Sequence, residues 1–436
     1  MAGFIIFICI IFASGFMKFL TLDDVDVKNK TIFVRADLNC PVGDGKKPET
    51  SARLIAHAKT ILSLMQKGAK VVILAHQGRK GKEDFISLAP HAKLLETEIN
   101  KLAGAKKGKS AAAAGGKNKI KVNFIDDVAG ERAQMAIKKL PSGEALLLEN
   151  VRFLDDEAEF EKTGKSALVR NLSPLCDIFV LDAFSVAHRA QASVVGFTKC
   201  PAIAGPVMAG ELEALLSFEN PKRPAVFALG GAKPADSLPI ASAWLERGKV
   251  DYVLCGGVLS QLMLIASGVD IGNTEFLQKS GSLDALSDAK SLLLKYKKKL
   301  ILPQDVIVDA KGKAQNIAVL SLPSQFAIMD IGERTAENFS SIIEKAGSIV
   351  LNGPMGVYEK EEFSKGTKNI LSAIANSSAY SILGGGHTLS AIEKFHILAS
   401  KFSYVSLSGK ALIEFLSGQE LPGIKLLENS AKNTTR

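Results

Sequence analysis

TIFVRADL, residues 31–38, is a short run of β-branched and aliphatic residues that ends in charged and polar side chains, and SARLIAHAKTIL, at helical spacing, follows it. The same alternation recurs. KVVILAH (70–76), KVNFIDD (121–127), EALLLEN (144–150) and DIFVLDAF (177–184) read as further strands in the first half. PAVFALG (224–230), VDYVLCGG (250–257), FAIMDIG (326–332), SIVLNGP (348–354) and YSILGGG (380–386) read as strands in the second. Strands that are apolar throughout, separated by helix-period stretches, are the signature of βα units and parallel sheets buried on both faces. The expected fold class is therefore α/β, with two Rossmann-like doubly wound parallel-sheet domains.

A chain of 436 residues, 47% of them hydrophobic, is long enough for two such domains. Between the two halves, GPVMAGELEALLSFEN (205–220) carries apolar positions at helical spacing and stops before Pro221 and Pro224, as a joining hinge helix would. The expected organisation is an N-terminal domain over 17–204, the hinge helix over 205–220, a C-terminal domain over 221–418 and a tail over 419–436 that returns to the N-terminal domain. Residues 2–16, AGFIIFICIIFASGF, are uncharged and apolar, fall short of a bilayer-spanning helix and lack the positive start of a secretory signal. Met17 opens MKFLTLDDVDV, an ordinary cytosolic start, so 1–16 is expected to lie outside the fold; a membrane anchor is the competing reading.

Seven of the nine excess positive charges lie between Glu98 and Asp126, in a stretch low in complexity and without aromatic side chains. Such a stretch, over 101–119, reads as a solvated, flexible insertion rather than a surface for stacking nucleic-acid bases. The cysteines Cys9, Cys40, Cys176, Cys200 and Cys255 are scattered, with no CxxC or Cys/His spacing, and read as small core residues in a reducing compartment.

In open α/β sheets, ligands bind beyond the carboxyl ends of the strands. The first half places Asp37 and Asn39, His76 and Arg79, Arg152, and His188 with Arg189 at those ends, and Arg53 heads the helical stretch that follows the first strand. Four arginines at one rim imply a ligand with several anionic oxygens, because the planar guanidinium makes paired, charge-assisted bonds to carboxylate and phosphate. The second half places glycines there instead: LGGAK (229–233), CGG (255–257), NGPMG (352–356), GGGHT (384–388) and SGK (408–410). Glycines between a strand and a helix amino end suit nucleotide phosphates. No Walker A loop is present, since Ala103 and Glu159 stand where its first glycine must be, and no GxGxxG fingerprint occurs.

VRADLN, AHQGR, ENVRF, DAFSVAHRA, GGAK, NGPMGVYE and GGGHT follow one another in an order that resembles the phosphoglycerate kinase family, its archaeal branch most, from about Met17 to Ile424. The resemblance implies that Asp37, Asn39, Arg53, His76, Arg79, Arg152 and Arg189 hold phosphoglycerate. It implies that Lys233 contacts the transferring or nucleotide phosphates, with Arg53 and Lys233 as the catalytic pair. Asn352 and Glu359 would approach the nucleotide, Glu359 at its ribose, and Gly384, Gly385, Gly386, His387 and Thr388 would lie beside its phosphates. ATP or ADP with magnesium (Mg2+), a cytosolic monomer with no nucleic-acid or membrane partner, and a place in glycolysis or gluconeogenesis are what the family implies.

Three positions depart from the family pattern. Ser237 stands where a second lysine is usual, His387 replaces an aspartate used near the metal, and Ser408-Gly409-Lys410 replaces a triple glycine. These leave the metal ligands open and suggest that Lys410 restores charge lost at Ser237. They also motivate two competing readings: a non-catalytic relative that has kept the fold, and another two-domain α/β nucleotide enzyme, which would need the fingerprint loop that is absent. For the family reaction no general base is required, because a sugar-acid carboxylate with a pKa near 4 is already an anionic nucleophile at neutral pH.

Overall fold

The computed structural model describes residues 8–12, 15–43, 47–106 and 119–434. They form two compact units, one of residues 1–216 with 420–436 and the other of residues 217–419.

In the first unit the strands are β1 (Ile8–Phe12), β2 (Gly15–Phe19), β3 (Thr31–Arg35), β4 (Val42–Gly43), β5 (Lys47–Pro48), β6 (Lys70–Leu74), β7 (Val122–Phe124), β8 (Ala145–Leu147), β9 (Ile178–Leu181) and β10 (Ala202–Ala204). Six of them make one sheet in the order β10-β9-β3-β6-β8-β7, parallel throughout. β3 is central. Ile32 and Val34 point into one core with Leu54, Ala58 and Ile61 of the helix Ala52–Gln66. Phe33, on the opposite face, meets Phe197 with ring centroids 5.4 Å apart. Each such fully buried side chain contributes about 1.5–3 kcal/mol, which is why the run is apolar on both faces.

The second unit contains β11 (Ala225–Leu229), β12 (Tyr252–Cys255), β13 (Leu300–Ile301), β14 (Asp305–Ala310), β15 (Lys313–Ala318), β16 (Ile328–Ile331), β17 (Ser348–Asn352), β18 (Tyr380–Gly384) and β19 (Tyr404–Val405). Its parallel sheet runs β13-β12-β11-β17-β18-β19. Val226, Ala228, Ile349 and Leu351 pack with Phe339 and Ile370 on one face. On another side Phe227 and Phe218 enclose Trp244, whose indole Nε1 donates to the Leu416 carbonyl at 2.6 Å.

The structure differs from the sequence expectations in three places. FAIMDIG does form a strand, β16, but it joins an antiparallel sheet in the order β15-β14-β16 rather than the parallel one. Its partner β14 pairs on its other side with β15, which is largely exposed and polar and shows no apolar alternation in the sequence. Residues 1–16, expected outside the fold, contribute β1, which pairs antiparallel with β2 from Ile8↔Phe19 to Phe12↔Gly15; its isoleucines are strand formers in any setting. The Lys-rich stretch 101–119 begins as helix, because Ala89–Lys106 is one continuous helix. Leu102 and Ala103 still pack against the core there, and Lys101 pairs with Glu98 at 2.7 Å. Residues 107–118 of that stretch lie outside the described residues.

The helix expected to join the two halves spans Pro206–Ser217, and all but its last residue belong to the first unit. The C-terminal helix Pro422–Thr434 belongs to the first unit, where Gly423 N–H donates to the Ala187 carbonyl at 2.8 Å and Ser430 Oγ accepts from Ala202 N–H at 2.8 Å. Among the described residues no helix is long and apolar enough to cross a membrane.

Candidate active site

At the carboxyl end of β3 the chain enters Asp37, which is buried, and its carboxylate organises the rim. It accepts from Asn39 N–H at 3.0 Å and from the Ser185 hydroxyl at 2.5 Å, and it lies 3.3 Å from a guanidinium nitrogen of Arg53. Burial alone would push this carboxyl up. The charge of Arg53 and the Ser185 hydroxyl instead hold it well below the usual carboxylate range. Arg53 sits in the first turn of the helix Ala52–Gln66, whose amino end is capped by Ser51 Oγ accepting from Leu54 N–H at 3.3 Å. Asn39 Oδ1 accepts from Gly78 N–H at 2.8 Å, which fixes the loop after β6 beside the loop after β3.

Arg152 follows β8 in the short turn Val151–Phe153, and its guanidinium donates to the Gly78 carbonyl. Its pKa is lowered to about 10, first by burial and then by the charges of Arg189, Arg35 and Arg79. Arg79 is exposed; its carbonyl accepts from Lys82 N–H at 2.9 Å, and among the described residues its side chain makes no hydrogen bond or ion pair. Cations crowded enough to depress one another favour an anionic ligand among them. Arg189 Nε is 3.1 Å from His188 Nε2.

Sequence reading missed Arg35, the residue under the rim. It is fully buried, donates to the Ser193 hydroxyl at 2.8 Å and reaches His76 Nδ1 at 3.2 Å. A guanidinium can only donate, so His76 Nδ1 accepts and its proton resides on Nε2. Burial, then the Arg35 charge, lowers the His76 pKa well below its ordinary value, so His76 is a neutral donor at physiological pH. Ser193 in turn donates to buried Glu157 at 2.5 Å, and burial pushes that carboxyl up. Arg35 lies within the quoted RADLN segment, but nothing in the sequence separates a support residue from a rim residue.

The second unit presents a cavity of about 640 Å³, a volume suited to a cofactor-sized ligand. Ala232, Val258, Phe276, Met329, Pro354 and Val357 supply apolar wall, while Gln261, Asn273, Glu359 and His387 supply polar groups. Of the residues named for the nucleotide, Glu359 and His387 line it, with His387 Nδ1 3.6 Å from Glu359 Oε1 and 3.5 Å from the Tyr358 hydroxyl. Lys394 Nζ donates to the Tyr358 and Glu359 carbonyls at 2.9 Å each, which fixes that segment. Phe276, Val258 and Met329 were missed because apolar residues on helices and strands read as core.

Lys233, Asn352, Gly384, Gly385, Gly386 and Thr388 do not line the cavity. Lys233 is exposed at the start of the helix Pro234–Glu246, immediately after Gly231 and Ala232, which do line it. Thr388 is buried, and its hydroxyl accepts from Gly353 N–H at 3.0 Å, clipping two glycine loops together. Asn352 ends β17, and its carbonyl accepts from Gly230 N–H at 3.0 Å.

The glycine loops pack chiefly on one another. Gly231 N–H donates to the Pro354 carbonyl and Gly257 N–H to the Met355 carbonyl, both at 2.7 Å. A Cβ on Gly257, at φ +53°, would stand 2.6 Å from the Gly231 backbone, and one on Gly353, at φ +84°, 2.8 Å from Gly230. Gly386 differs: it is exposed at the head of the helix Gly386–Lys394, with open space where a Cβ would go.

Ser237 is buried, its hydroxyl 3.3 Å from the Gly230 carbonyl, and Lys410 Nζ lies 3.2 Å from Glu414 Oε1. Among the described residues no group of three or more His, Cys, Asp or Glu is arranged to hold a metal. Imidazole is a poor ligand for magnesium, so His387 beside the single carboxylate of Glu359 does not make a protein cage for that ion. These residues fit only a magnesium ion carried by nucleotide phosphates and water.

The family profile for phosphoglycerate kinase matches residues 22–419. A phosphoglycerate kinase of Pyrococcus horikoshii is 40% identical over 420 residues, covering 94% of this chain and 97% of the relative, and one of Methanopyrus kandleri is 39% identical over 411 residues, covering 93% and 96%. The crystal structure of the Pyrococcus horikoshii enzyme superposes with a TM-score of 0.84 at 39% identity, covering 95% of this chain and 99% of the other. That of phosphoglycerate kinase from Coxiella burnetii gives 0.77 at 37%, covering 95% and 100%. With seven motifs in order, two parallel α/β sheets and matches that span nearly the whole length of both partners, the chain belongs to the phosphoglycerate kinase family.

Proposed function

We propose that this chain transfers a phosphoryl group reversibly between 1,3-bisphosphoglycerate and ADP, giving 3-phosphoglycerate and ATP, with the first unit holding the phosphoglycerate and the second the nucleotide. The observation that carries the assignment of the sugar acid is the crowded arginine rim, where Arg152 is lowered to about 10 by burial and by neighbouring guanidinium groups. A ligand bearing a carboxylate and a phosphate relieves that repulsion.

In the direction of ATP use, the carboxylate of 3-phosphoglycerate attacks the terminal phosphorus, the bond from that phosphorus to the bridging oxygen breaks, and ADP leaves carrying that oxygen. No proton has to be removed, so His76 acts as a neutral hydrogen-bond donor rather than as a base. Charge on the transferring group falls on its equatorial oxygens, and fixed cations and amide dipoles are what stabilise it. Arg53, steadied by Asp37, supplies one such charge; Lys233 and the amides at Gly385 and Gly386 supply the others. The apolar cavity takes the base, with Glu359 at the ribose. A magnesium ion, held by the phosphates and water, would neutralise part of the nucleotide charge.

Water would compete as acceptor, so we further propose closure about the helix Pro206–Ser217 when both ligands are bound. Equal scattering radii for free and doubly liganded protein would remove that element. We place the enzyme in the cytosol as a monomer. A coupled assay for ATP formation from 1,3-bisphosphoglycerate and ADP tests the activity directly: turnover supports the assignment, and binding of both ligands without turnover replaces it with that of a non-catalytic relative.

A further inference from the structure

We propose that Cys176 and Cys200 are a reversible oxidation site, closing an intrachain disulfide in response to a hydroperoxide and thereby bracing the first unit. Their sulfurs lie 3.3 Å apart although the residues are 24 positions apart in the chain, and both are free thiols. Cys176 stands just before β9 and Cys200 just before β10. These strands are parallel neighbours, with Phe179 N–H donating to the Pro201 carbonyl at 2.9 Å, so sheet pairing brings the two thiols together. Bond formation at about 2.05 Å requires the sulfurs to approach by little more than 1 Å.

The two thiols have unequal characters that suit an attacking and a resolving role. Cys200 is half-buried and open to a small oxidant, whereas Cys176 is buried. The Cys176 side chain, with backbone N–H groups, stabilises the Cys200 thiolate and lowers its pKa, while burial and the neighbouring Cys200 push Cys176 up. Cys40 and Cys255 lack this setting: burial raises Cys40 to about 11 and Cys255 to about 12. Thiolate character and access together select Cys200.

The chemistry balances with a hydroperoxide as the two-electron oxidant. The Cys200 thiolate attacks the peroxide, the O–O bond breaks, an S–O bond forms, and the departing oxygen leaves as water or alcohol after taking a proton. Cys176 then attacks the Cys200 sulfur, the S–S bond forms, and the sulfenic oxygen leaves as water. A dithiol reverses the step by exchange.

The pair lies at the amino ends of β9 and β10, opposite the carboxyl rim that carries the ligand residues. The ring it closes nevertheless contains Asp182, Ser185, Arg189 and Ser193, all of them part of or beneath the rim. Oxidation is therefore expected to restrain this segment in the unfolded chain without moving the rim. The melting midpoint of the first unit should rise by about 5–10 °C.

The test treats the full chain with one equivalent of hydrogen peroxide. Support is a loss of two thiols, an unreduced peptide joining Cys176 to Cys200, restoration of both thiols by dithiothreitol, a higher midpoint and an unchanged kcat. Cys176→Ser should leave a Cys200 sulfenic acid that dimedone traps, and Cys200→Ser or Cys200→Ala should abolish the midpoint shift. An undiminished thiol titre under excess peroxide, or Cys200 passing to sulfinic acid in the unsubstituted chain with no cross-linked peptide, overturns the proposal. So does a disulfide that leaves the midpoint where it was.

Discussion

A guanidinium nitrogen of Arg53 lies 3.3 Å from a carboxylate oxygen of Asp37, and that carboxylate is simultaneously held by the Ser185 hydroxyl and the Asn39 amide. Arg53 is thus aimed by a buried partner while about a quarter of its own side chain stays exposed. If it supplies charge to the transferring group, Arg53→Ala lowers kcat by on the order of 10³. Arg53→Lys should recover only part of that loss, because a point charge does not reproduce a planar fork. Steady-state kinetics decide it, and a fall smaller than tenfold would sink the assignment.

Glycines with similar surroundings in the sequence have opposite expected roles. Gly257→Ala places a methyl 2.6 Å from the Gly231 backbone in a conformation that disfavours side chains, so it should fail through folding and lower the melting midpoint. Gly386→Ala meets nothing within 4 Å and should melt like the unsubstituted protein. Its methyl lies instead where phosphate is proposed to approach, and ADP affinity should fall roughly tenfold or more. Paired calorimetry and ADP titration check both, and a Gly386→Ala protein with normal ADP affinity would place the phosphates elsewhere.

Much of this molecule could be read from its chain because buried parallel strands are apolar on both faces: TIFVR, KVVIL and SIVLN announce themselves and carry the proposed ligand residues at their ends. The rim residues of the first unit were accessible for that reason. The antiparallel strand β15 was not, since an exposed, polar strand such as KAQNIA has no apolar pattern. The cavity wall was also hidden: Val258 and Met329 look like core residues and become a cavity lining only when the fold leaves a space beside them. Long-range polar pairs such as Arg35 with Ser193 depend on packing that no local spacing encodes.

One such pair holds the helix Pro206–Ser217. His57 Nδ1 lies 2.7 Å from Asp182 Oδ2, both residues are buried, and Asp182 Oδ1 accepts from Val207 N–H at 2.8 Å in the first turn of Pro206–Ser217. His57→Ala leaves one buried carboxylate oxygen without its partner, which should cost about 2–4 kcal/mol. The loss should appear in the first unit and spare the fluorescence transition of Trp244, which is the sole tryptophan and lies in the second. Simultaneous loss of both transitions would show that the units do not unfold separately.

Lys410 offers a test of charge replacement. Its ammonium is 3.2 Å from Glu414, on the same helix, and about two-thirds exposed. If it stands in for the lysine absent at Ser237, Lys410→Ala should weaken ADP binding roughly three- to tenfold, and salt should narrow the difference. Unchanged affinity would leave the pair with Glu414 as its whole role.

Asp330 makes the second unit sensitive to pH in an unusual direction. It is 3% exposed, and its carboxylate accepts from Gly366 N–H at 2.7 Å and Ile331 N–H at 2.9 Å. Burial outweighs those two donors and raises its pKa to about 7, against about 3.9 in an unfolded chain. The folded state therefore holds the proton more tightly. Its stabilising contribution is complete below about pH 4 and is lost as pH climbs toward 7. Asp305 and Glu219, held low despite burial, titrate below that range and act in the opposite sense. Urea unfolding followed by Trp244 should show about 2–3 kcal/mol less stability at pH 7.5 than at pH 5. Asp330→Asn, whatever its absolute stability, should be flat across the same interval, because the amide has no proton to lose; a slope that survives the substitution would assign the effect to another group.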